Sequence, residues 1–371
     1  MKKVIFTATV DSHILAFHTP YLKYFKDNGY EVHVATNGDA EIPYCDVKHT
    51  VSFERSPFKL NNLKAIQQLK KICDTEKFEI IHTHTPMGSV VTRLAAMHAR
   101  KKYSTRVIYT AHGFHFFKGA PIQNWLIFYP VEKLLAYKTD TLITINKEDY
   151  ELAKKKFKTD VQYVPGVGID PKKFDFVMTE TDKTELRKSL GLKDTDFVMI
   201  YPAELSKRKR QIWLIEALTD TLLANPSMHL LLPGKDSLNG KCQSLVGQYG
   251  LEQNIHFLGF RNDIPQLLSI SNIAVSSASQ EGLPVNIMEA MYTGLPVVAT
   301  NCRGNRDLID EGINGYLVSV TNENEFAIDI LGLYTYRSSL KTYSLKNKTI
   351  ASIYLLDNVL KDLIVIYHIK P

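Results

Sequence analysis

The chain reads Ser279-Gln280-Glu281-Gly282-Leu283-Pro284-Val285-Asn286-Ile287-Met288-Glu289-Ala290-Met291 directly after an apolar run, Ile273-Ala274-Val275. The apolar run is typical of a buried parallel strand. Gly282 permits a tight turn, Pro284 suits the first residue of a helix, and Gly294 is placed to end that helix. The sequence therefore predicts a strand, a turn and a short helix.

The start of this predicted helix has the features of an anion-binding site. The backbone N–H groups of Gly282, Leu283 and Val285 are expected at the helix start, beside the positive end of the helix dipole. This position favours binding of a phosphate group. Glu281 lies in the turn and Glu289 about two helical turns further on, so both are expected to face one ligand and accept hydrogen bonds from sugar hydroxyls. An ordinary capped helix with two solvated glutamates explains the spacing equally well.

The first half of the chain alternates strand-like and helix-like segments. Its strand-like runs are residues 4–10, 31–36, 79–83, 106–110 and 141–145. Such alternation predicts a doubly wound parallel sheet, in which ligands bind at the carboxyl ends of the strands. The polar residues at those ends are His13, His82, His84, His112 and Asn146. The first turn lacks G-x-G-x-x-G, which argues against a dinucleotide cofactor.

A segment rich in glycine and proline, residues 164–171, precedes a second alternating series. The strands of this series are predicted at residues 197–201, 228–232, 254–258, 273–275 and 296–299. We therefore expect an α/β protein with two Rossmann-like, doubly wound parallel-sheet domains that face a cleft. The expected domains are residues 1–170 and 171–345. A helical tail, residues 346–371, follows, and its return to the first domain stays open.

Composition excludes several classes of protein. Hydrophobic residues make up 44% and charged residues 23% of the 371 residues, as in soluble globular proteins. No run approaches the roughly 18 apolar residues that span a bilayer, and Met1-Lys2-Lys3 leads into a strand rather than a signal peptide. The four cysteines form no C-x-x-C pair, which indicates free thiols in a reducing compartment. A cytoplasmic location is expected.

Two features suit a membrane surface, and each has an equally good alternative. Residues 1–175 carry 26 Lys and Arg against 18 Asp and Glu, which suits an acidic lipid surface or a lipid diphosphate but also solvated helix faces. An apolar segment lies between Lys118 and the lysines Lys133 and Lys138, and it contains Trp125, Leu126, Ile127, Phe128, Tyr129, Val131, Leu134 and Leu135. It is typical of a membrane interface or of a core helix interrupted at Pro130.

These features together resemble a known family. The two Rossmann-like halves, the E-x7-E pair Glu281/Glu289 and the tail Gly294-Leu295-Pro296-Val297-Val298-Ala299-Thr300 are similar to family 4 of the retaining GT-B glycosyltransferases. The likeness covers nearly the whole chain. Within the family, Thr110-Ala111-His112-Gly113-Phe114-His115 and residues 117–140 look most like enzymes that build capsular or exopolysaccharide repeat units on a lipid carrier. The resemblance implies a hexosyl- or N-acetylhexosaminyltransferase.

The resemblance assigns roles around the E-x7-E pair. Glu289 corresponds to the carboxylate that binds the ribose hydroxyls of the donor nucleotide, a contact that contributes about 1.5–3 kcal/mol. Glu281 corresponds to the residue near the reacting face of the donor sugar. Gly282 and Leu283 correspond to main-chain donors to the sugar and the diphosphate.

Further roles fall on other loops. Lys209 corresponds to the lysine that neutralises the leaving diphosphate, and Arg208 is a second candidate cation. Phe260 and Arg261 belong to a turn, residues 259–263, that holds the base mainly through its backbone. His112 corresponds to a histidine that reaches the donor sugar from the first domain.

The chain departs from the family pattern at three positions. Glu204 stands where the usual residue is arginine, and Arg210 stands where it is glycine, so Lys209 rather than Glu204 is expected to bind phosphate. A solvated helix start remains the alternative interpretation of the basic residues 207–210. Many relatives carry Gly-Gly where this chain has Asp11-Ser12-His13, and we expect Ser12 or His13 to contact the acceptor instead.

The pair His82-Thr83-His84 is compatible with zinc binding, but no third ligand follows at a helpful spacing. The one Asp-x-Asp motif, residues 194–196, falls in a loop before a strand. We therefore expect no metal site, and we expect His82 and His84 on the acceptor side of the cleft. The resemblance implies catalysis without a metal ion, with a lysine and a helix dipole in its place.

The resemblance implies sugar transfer, with retention at the anomeric carbon, from a nucleotide sugar, most often a UDP-sugar. The expected acceptor is a polyprenyl-diphosphate-linked saccharide, and the expected location is the inner face of the cell membrane, with peripheral association. No cofactor and no nucleic-acid partner are expected. Two alternatives stay open: a GT-B sugar epimerase or phosphorylase, and a non-catalytic GT-B partner subunit that binds a lipid-linked glycan.

Overall fold

The computed structural model describes residues 1–368, which form two compact α/β units. Unit 1 comprises Met1–Val167 and the C-terminal residues from Leu360, and unit 2 comprises Gly168–Val359. The first division between the units lies inside the predicted glycine- and proline-rich segment, where Gly166 and Gly168 adopt φ angles of 86° and 85°. Such left-handed backbone favours glycine.

Unit 1 is a parallel sheet with helices on both faces. Its strands are β1 (Lys3–Val10), β2 (Glu31–Asn37), β3 (Val47–Thr50), β4 (Ile80–Thr83), β5 (Arg106–Ala111), β6 (Thr141–Thr144) and β7 (Asp160–Tyr163). Its helices are α1 (Asp11–Phe17), α2 (Thr19–Asp27), α3 (Asn61–Glu76), α4 (Pro86–Ala95), α5 (Met97–Tyr103), α6 (Ile122–Ala136) and α7 (Lys147–Lys156). The strand order is β3-β2-β1-β4-β5-β6-β7. The carboxyl ends of β1, β4 and β5 are therefore neighbours at one edge of the sheet.

Unit 2 repeats this plan with a smaller sheet. Its strands are β8 (Phe197–Ile200), β9 (Met228–Pro233), β10 (Ile255–Gly259), β11 (Ile273–Ser276), β12 (Val297–Thr300) and β13 (Gly315–Val318). Its helices are α8 (Glu180–Ser189), α9 (Gln211–Ala224), α10 (Lys241–Tyr249), α11 (Ile264–Ser269), α12 (Val285–Thr293), α13 (Arg303–Leu308), α14 (Glu323–Thr335) and α15 (Leu340–Ala351). Short 3₁₀ turns cover Pro171–Phe174, Arg337–Ser339 and Ser352–Tyr354. The strand order is β10-β9-β8-β11-β12-β13.

The prediction of two parallel-sheet α/β domains is confirmed. Ten predicted strands are present with ends that differ by one or two residues, and β3, β7 and β13 were not predicted. All three lie at the edge of a sheet. An edge strand pairs on one side only and needs fewer apolar residues, so its sequence gives a weaker signal.

The last helices are divided between the two units. α15 packs against α12, and Asn347 donates hydrogen bonds to the carbonyl groups of Leu295 (3.0 Å) and Asn314 (2.8 Å). The final helix, α16 (Leu356–Tyr367), crosses from unit 2 to unit 1 at residue 360. The structure thus places the end of unit 2 at Val359 rather than at the predicted residue 345. Of the predicted tail, residues 369–371 lie outside the described residues.

Two further observations concern membranes and thiols. Within residues 1–368, no helix combines the length and the apolar character needed to cross a bilayer. Cys45, Cys73, Cys242 and Cys302 are free thiols, as the sequence predicts.

Candidate functional site

Three predicted residues meet at the carboxyl edge of the unit 2 sheet. The loop after β8 carries Arg208 and Lys209, and the loop after β11 carries Glu281. Lys209 Nζ lies 2.6 Å from Glu281 Oε1, and Arg208 NH1 lies 3.0 Å from Glu281 Oε2. The Glu281 and Lys209 side chains are 8% and 11% exposed. One buried carboxylate therefore orients two cations.

Backbone contacts fix these loops against each other. The Ser277 hydroxyl donates to the carbonyl of Lys209 at 2.8 Å, and the Ser279 amide donates to the carbonyl of Arg208 at 3.0 Å. Arg303, on α13, donates from Nε to the carbonyl of Glu281 at 3.1 Å. The charged side chains thus stand on a rigid backbone, as a preorganised site requires.

The start of α12 keeps the features expected of an anion site. The helix begins at Val285, with Pro284 as its N-cap rather than its first helical residue, and Gly294 ends it with φ of 90°. Pro284 makes no side-chain hydrogen bond to this helix start, and Gly282 and Leu283 lie just before it in the chain. Anion binding by the first N–H groups of α12 therefore stays a prediction.

Glu289 lies on α12 in a largely buried position. Its side chain is 17% exposed, and Lys173 Nζ lies 4.0 Å from Oε1. Burial raises the pKa of the Glu289 carboxyl above the ordinary value of 4.5, and the Lys173 charge partly offsets this. A polar ligand that donates hydrogen bonds to this carboxylate would repay part of its desolvation.

Two of the three departures from the family pattern, Glu204 and Arg210, lie between β8 and α9 and have distinct surroundings. Glu204 is exposed, and its carboxylate accepts a hydrogen bond from the Ser237 hydroxyl. Arg210 is the N-cap of α9 and adopts φ of 56°, a left-handed conformation that glycine adopts without cost. Its guanidinium lies 4.6 Å from the ring centroid of Trp213 and donates to the carbonyl of Val320 at 2.7 Å. These contacts offset the backbone strain at Arg210.

The predicted base-binding turn follows β10. Phe260 is 66% exposed, with Lys235 Nζ 5.4 Å from the ring centroid. Arg261 forms a two-point ion pair with Asp263 at 2.7 and 2.5 Å. Arg261 is thereby held within its own turn, which agrees with recognition of a base through the backbone.

The carboxyl edge of the unit 1 sheet carries a group of histidines that we name the histidine cluster: His13, His18, His84 and His112. His13 lies on α1, His18 lies between α1 and α2, and His84 and His112 directly follow β4 and β5. One ring nitrogen from each residue lies within 4.8 Å of those of the other three. The sequence predicted three members at strand ends and missed His18, whose position depends on the turn between two helices.

His82, in contrast, forms its hydrogen bonds with residues outside this cluster. Its Nε2 lies 2.8 Å from the Thr110 hydroxyl and its Nδ1 lies 2.7 Å from the Tyr367 hydroxyl. The side chain is buried. The structure therefore favours a structural role for His82 over the predicted contact with an acceptor.

Burial keeps the histidine cluster uncharged at neutral pH. Desolvation lowers the pKa of His13 to about 4, with a smaller contribution from the Arg55 charge. Desolvation also lowers the pKa of His18, His84 and His112 well below 6.5, and repulsion between the rings adds to this effect. Neutral imidazoles can accept a hydrogen bond or bind a metal ion.

A cavity of about 620 Å³ opens beside the histidine cluster in unit 1. Ser12, His13 and Arg55 supply polar groups, and aromatic and aliphatic side chains from the loop after β5, from α4 and from α6 contribute to the remaining wall. Glu132, at this wall, pairs at 2.9 Å with Arg93, which is 1% exposed. A mainly apolar cavity with a few polar groups is typical of a binding site for a small or amphipathic molecule.

The apolar segment predicted from residues 125–135 is the continuous helix α6, which Pro130 does not interrupt. Trp125, Phe128 and Tyr129 pack toward the core of unit 1. The opposite side exposes Ile122, Leu126, Ile127, Val131 and Leu134, which are 40–70% exposed. One side of the helix thus belongs to the core, although without the expected interruption at Pro130. Contact of the exposed apolar side with a membrane stays a prediction.

Sequence comparisons identify relatives of both halves. The family model described as "Glycosyl transferases group 1" matches residues 182–348, and "Glycosyl transferase 4-like" matches residues 3–146. The putative glycosyltransferase EpsD of Bacillus subtilis (strain 168) is 44% identical over 335 residues, which are 90% of this chain and 87% of that protein.

Two more distant comparisons add a named activity and a fold. The UDP-Gal:alpha-D-GlcNAc-diphosphoundecaprenol alpha-1,3-galactosyltransferase of Escherichia coli is 29% identical over 273 residues, 72% of this chain and 69% of that protein. The crystal structure of Anabaena Alr3699/HepE in complex with UDP and glucose superposes with a TM-score of 0.80 at 21% identity, and the match covers 99% of this chain and 100% of that chain. At 21% identity, the similarity to the Anabaena structure shows the fold alone.

Proposed function

Since this chain belongs to the group 1 glycosyltransferases of GT-B fold, we propose that it transfers a sugar from a UDP-sugar to a hydroxyl of a polyprenyl-diphosphate-linked saccharide. The transferred sugar is of the hexosyl or N-acetylhexosaminyl type and keeps its anomeric configuration. The name of the E. coli relative, with a UDP-Gal donor and a diphosphoundecaprenol-linked acceptor, supports this choice. The similarity to EpsD supports a place in exopolysaccharide or capsule synthesis.

The ion-paired group of Lys209, Arg208 and Glu281 carries the proposal. As the bond between the anomeric carbon and the diphosphate breaks, negative charge grows on the leaving oxygen. Lys209, Arg208 and the N–H groups at the start of α12 stabilise that charge. Glu281 holds both cations in place. In this proposal these groups neutralise the charge on the diphosphate without a divalent ion.

The remaining donor contacts follow the same reasoning. The Glu289 carboxylate accepts hydrogen bonds from the ribose hydroxyls, and Gly282 and Leu283 donate main-chain N–H groups to the sugar and the diphosphate. Phe260 and the backbone of its turn contact the base. His112 reaches the donor sugar. The leaving phosphate takes the proton of the acceptor hydroxyl, so no separate general base is required.

Unit 1 supplies features suited to a lipid-linked acceptor. The 620 Å³ cavity offers Ser12, His13 and Arg55 as polar groups for the saccharide and its diphosphate. Ile127 and Val131 line that cavity, and the same helix carries the exposed apolar residues described above. We propose that this surface of α6, with Lys118 and Lys133 beside it, lies on the inner leaflet and positions the lipid.

Calorimetric titration with UDP, GDP and ADP tests the donor site. We expect UDP to bind most tightly and Glu289→Ala to weaken it by more than about tenfold. Glu185→Ala, at an exposed glutamate on α8 of the same unit, is the matched control and should leave UDP binding unchanged. If none of the three nucleotides binds, the glycosyltransferase proposal fails and a glycan-binding partner subunit becomes the better interpretation.

Transfer itself is tested with UDP-sugars and a lipid-linked saccharide as acceptor. Release of UDP that depends on the acceptor supports transfer. Conversion of the UDP-sugar without any change in the acceptor would favour an epimerase instead.

A further inference from the structure

The histidine cluster contains polar atoms that the described chain leaves unpaired. His18 and His84 are 2% and 1% exposed. Within residues 1–368, both ring nitrogens of His18, Nε2 of His84 and Nε2 of His13 have no hydrogen-bond partner. An unpaired buried polar group destabilises the folded chain, so several such groups at one place indicate that a ligand binds there.

The contrast with His82 shows that the fold can pair a buried histidine when no ligand is involved. His82 lies two residues before His84 in the chain, and both its ring nitrogens are hydrogen-bonded to hydroxyl groups. The unpaired nitrogens are therefore specific to the cluster and not a general feature of this sheet edge.

We propose that His13, His18, His84 and His112 bind one divalent transition-metal ion, with Zn²⁺ as the best match. All four donors are imidazole nitrogens, which suit Zn²⁺ and its neighbours, whereas Mg²⁺ and Ca²⁺ require oxygen ligands. Zn–N bonds of about 2.0–2.1 Å in a tetrahedron place two ligand nitrogens about 3.3 Å apart. His84 Nδ1 and His112 Nε2, which share a hydrogen bond in the structure, are already 3.3 Å apart. In this arrangement His84 binds through Nδ1, and its Nε2 is not a ligand.

The four ligand atoms already lie within 4.8 Å of one another. To reach this geometry the remaining pairs must come closer, and the stacked rings of His18 and His84, with centroids 3.7 Å apart, must rotate relative to each other. A cavity of about 10 Å³, close to the volume of one water-sized sphere, is lined by His18, His84 and His112. His13 also lines the larger cavity, which provides a route from solvent.

A second group of possible ligands is less suitable. Glu31, His33 and Glu76 also lie close together. Lys3 Nζ, however, is 3.3 Å from Glu31 and 2.6 Å from Glu76, so both carboxylates are already paired. This group provides a control for the experiment.

The ligands of the metal site all belong to unit 1, and His112 is the one ligand that also has a predicted role toward the donor sugar. A bound ion would link the segments that follow β1, β4 and β5. If His112 binds the ion through Nε2, only its Nδ1 is left to contact a donor sugar. The predicted role of His112 and the metal site then use opposite sides of one ring.

The test uses the full-length protein, stripped with EDTA and titrated with Co²⁺ and then with Zn²⁺. We expect about one Co²⁺ per chain, the intense visible absorption of four-coordinate Co²⁺, and its loss as Zn²⁺ displaces the ion. His13→Ala, at the partly exposed ligand, and His18→Asn should each lose the absorption. Glu76→Gln, in the second group, should keep it.

Zn²⁺ should also raise the melting temperature of the wild type and not that of His13→Ala, since a ligand stabilises only the state that binds it. The proposal is overturned if the stripped wild type binds less than about a tenth of an equivalent of Co²⁺, or shows only the weak absorption of six-coordinate Co²⁺. Equal Co²⁺ binding by His13→Ala and the wild type would overturn it too. The Co²⁺ spectrum of the wild type tests the proposal even if the His18→Asn variant does not fold.

Discussion

Lys209 Nζ lies 2.6 Å from Glu281 Oε1, while Arg208 NH1 lies 3.0 Å from the other oxygen of the same carboxylate. The carboxylate and the lysine are both largely buried. Removing one member of a buried pair leaves the other charged and unpaired, which costs more than the pair itself contributes. Substitutions here are therefore expected to change folding stability as well as binding.

Lys209→Met should lower the free energy of unfolding of unit 2 by about 1–3 kcal/mol, because Glu281 keeps only the half-exposed Arg208 as a partner. Adding Glu281→Gln should recover part of that loss. Urea unfolding followed by Trp213 fluorescence in a Trp125→Phe background measures both effects in unit 2. Strictly additive losses would show that the two side chains do not interact.

Glu289→Gln should weaken UDP binding by about 1.5–3 kcal/mol, or about 10- to 150-fold, because an ionised acceptor is lost. The same substitution should barely change the affinity for 2′,3′-dideoxy-UDP, which lacks both ribose hydroxyls. Calorimetry on the four combinations isolates the contact between Glu289 and the ribose. An equal loss for both ligands would place Glu289 elsewhere.

UDP binding to the wild type should weaken as the pH falls. Burial raises the pKa of Glu289 above 4.5, so this carboxylate is protonated at a higher pH than an ordinary glutamate and then accepts hydrogen bonds less well. Glu289→Gln should lack this part of the pH dependence. Titrations at a series of pH values, from neutral pH down toward the ordinary glutamate pKa of 4.5, provide the comparison.

Unit 1 should lose stability in mild acid, measured in EDTA. Unfolded histidines take up protons near pH 6.5, whereas the folded pKa values are about 4 for His13 and about 3 for His82. Stability is therefore full above pH 6.5 and falls as the pH drops toward those values, by about 1.4 kcal/mol per histidine per pH unit. Trp125 fluorescence in a Trp213→Phe background reports unit 1, and a flat profile between pH 7 and 5 would contradict the pKa shifts.

Leu126→Ser combined with Leu134→Ser should reduce binding to vesicles of anionic phospholipid by at least about tenfold. Each leucine that enters the interface contributes up to about 1.5–3 kcal/mol. Leu223→Ser, at a leucine that is 51% exposed on α9 of unit 2, is the matched control. Flotation of the three proteins with vesicles gives the comparison, and equal binding by all three would exclude α6 as the membrane surface.

Arg210→Ala should destabilise unit 2 by about 1 kcal/mol more than Arg210→Gly. Both substitutions remove the contacts with Trp213 and Val320, but only alanine keeps a side chain at φ of 56°. Urea unfolding of the two variants provides the test. Equal stability would show that the left-handed backbone at this residue stores no strain.

The sequence predicted the parts of the fold that are most apolar or most constrained. Strands such as β1 and β11 are continuous buried runs, and Gly294 ends α12 as expected because its φ is left-handed. The edge strand β7 reads Asp-Val-Gln-Tyr and is at most half-buried. Its pairing depends on its neighbour β6, and a single-sequence pattern does not contain that information.

The sequence predicted the candidate site residues that belong to one motif. It did not predict the contacts between residues from distant segments. The E-x7-E spacing identified Glu281 and Glu289, but the contact between Glu281 and Lys209 joins residues 72 positions apart. Likewise, strand ends pointed to His84 and His112, whereas His18 joins them only because α1 and α2 are separate helices. Contacts between side chains of different loops depend on the tertiary fold, which a single-sequence pattern does not contain.

The helix α16 has a consequence for synthesis of the protein on the ribosome. Tyr367 bonds His82 at 2.7 Å, and Arg106 donates to the carbonyls of Ile366 and Tyr367 at 2.8 Å each. Every residue of unit 2 is translated before these partners exist. Unit 1 therefore completes its interior only after all of unit 2 has been translated.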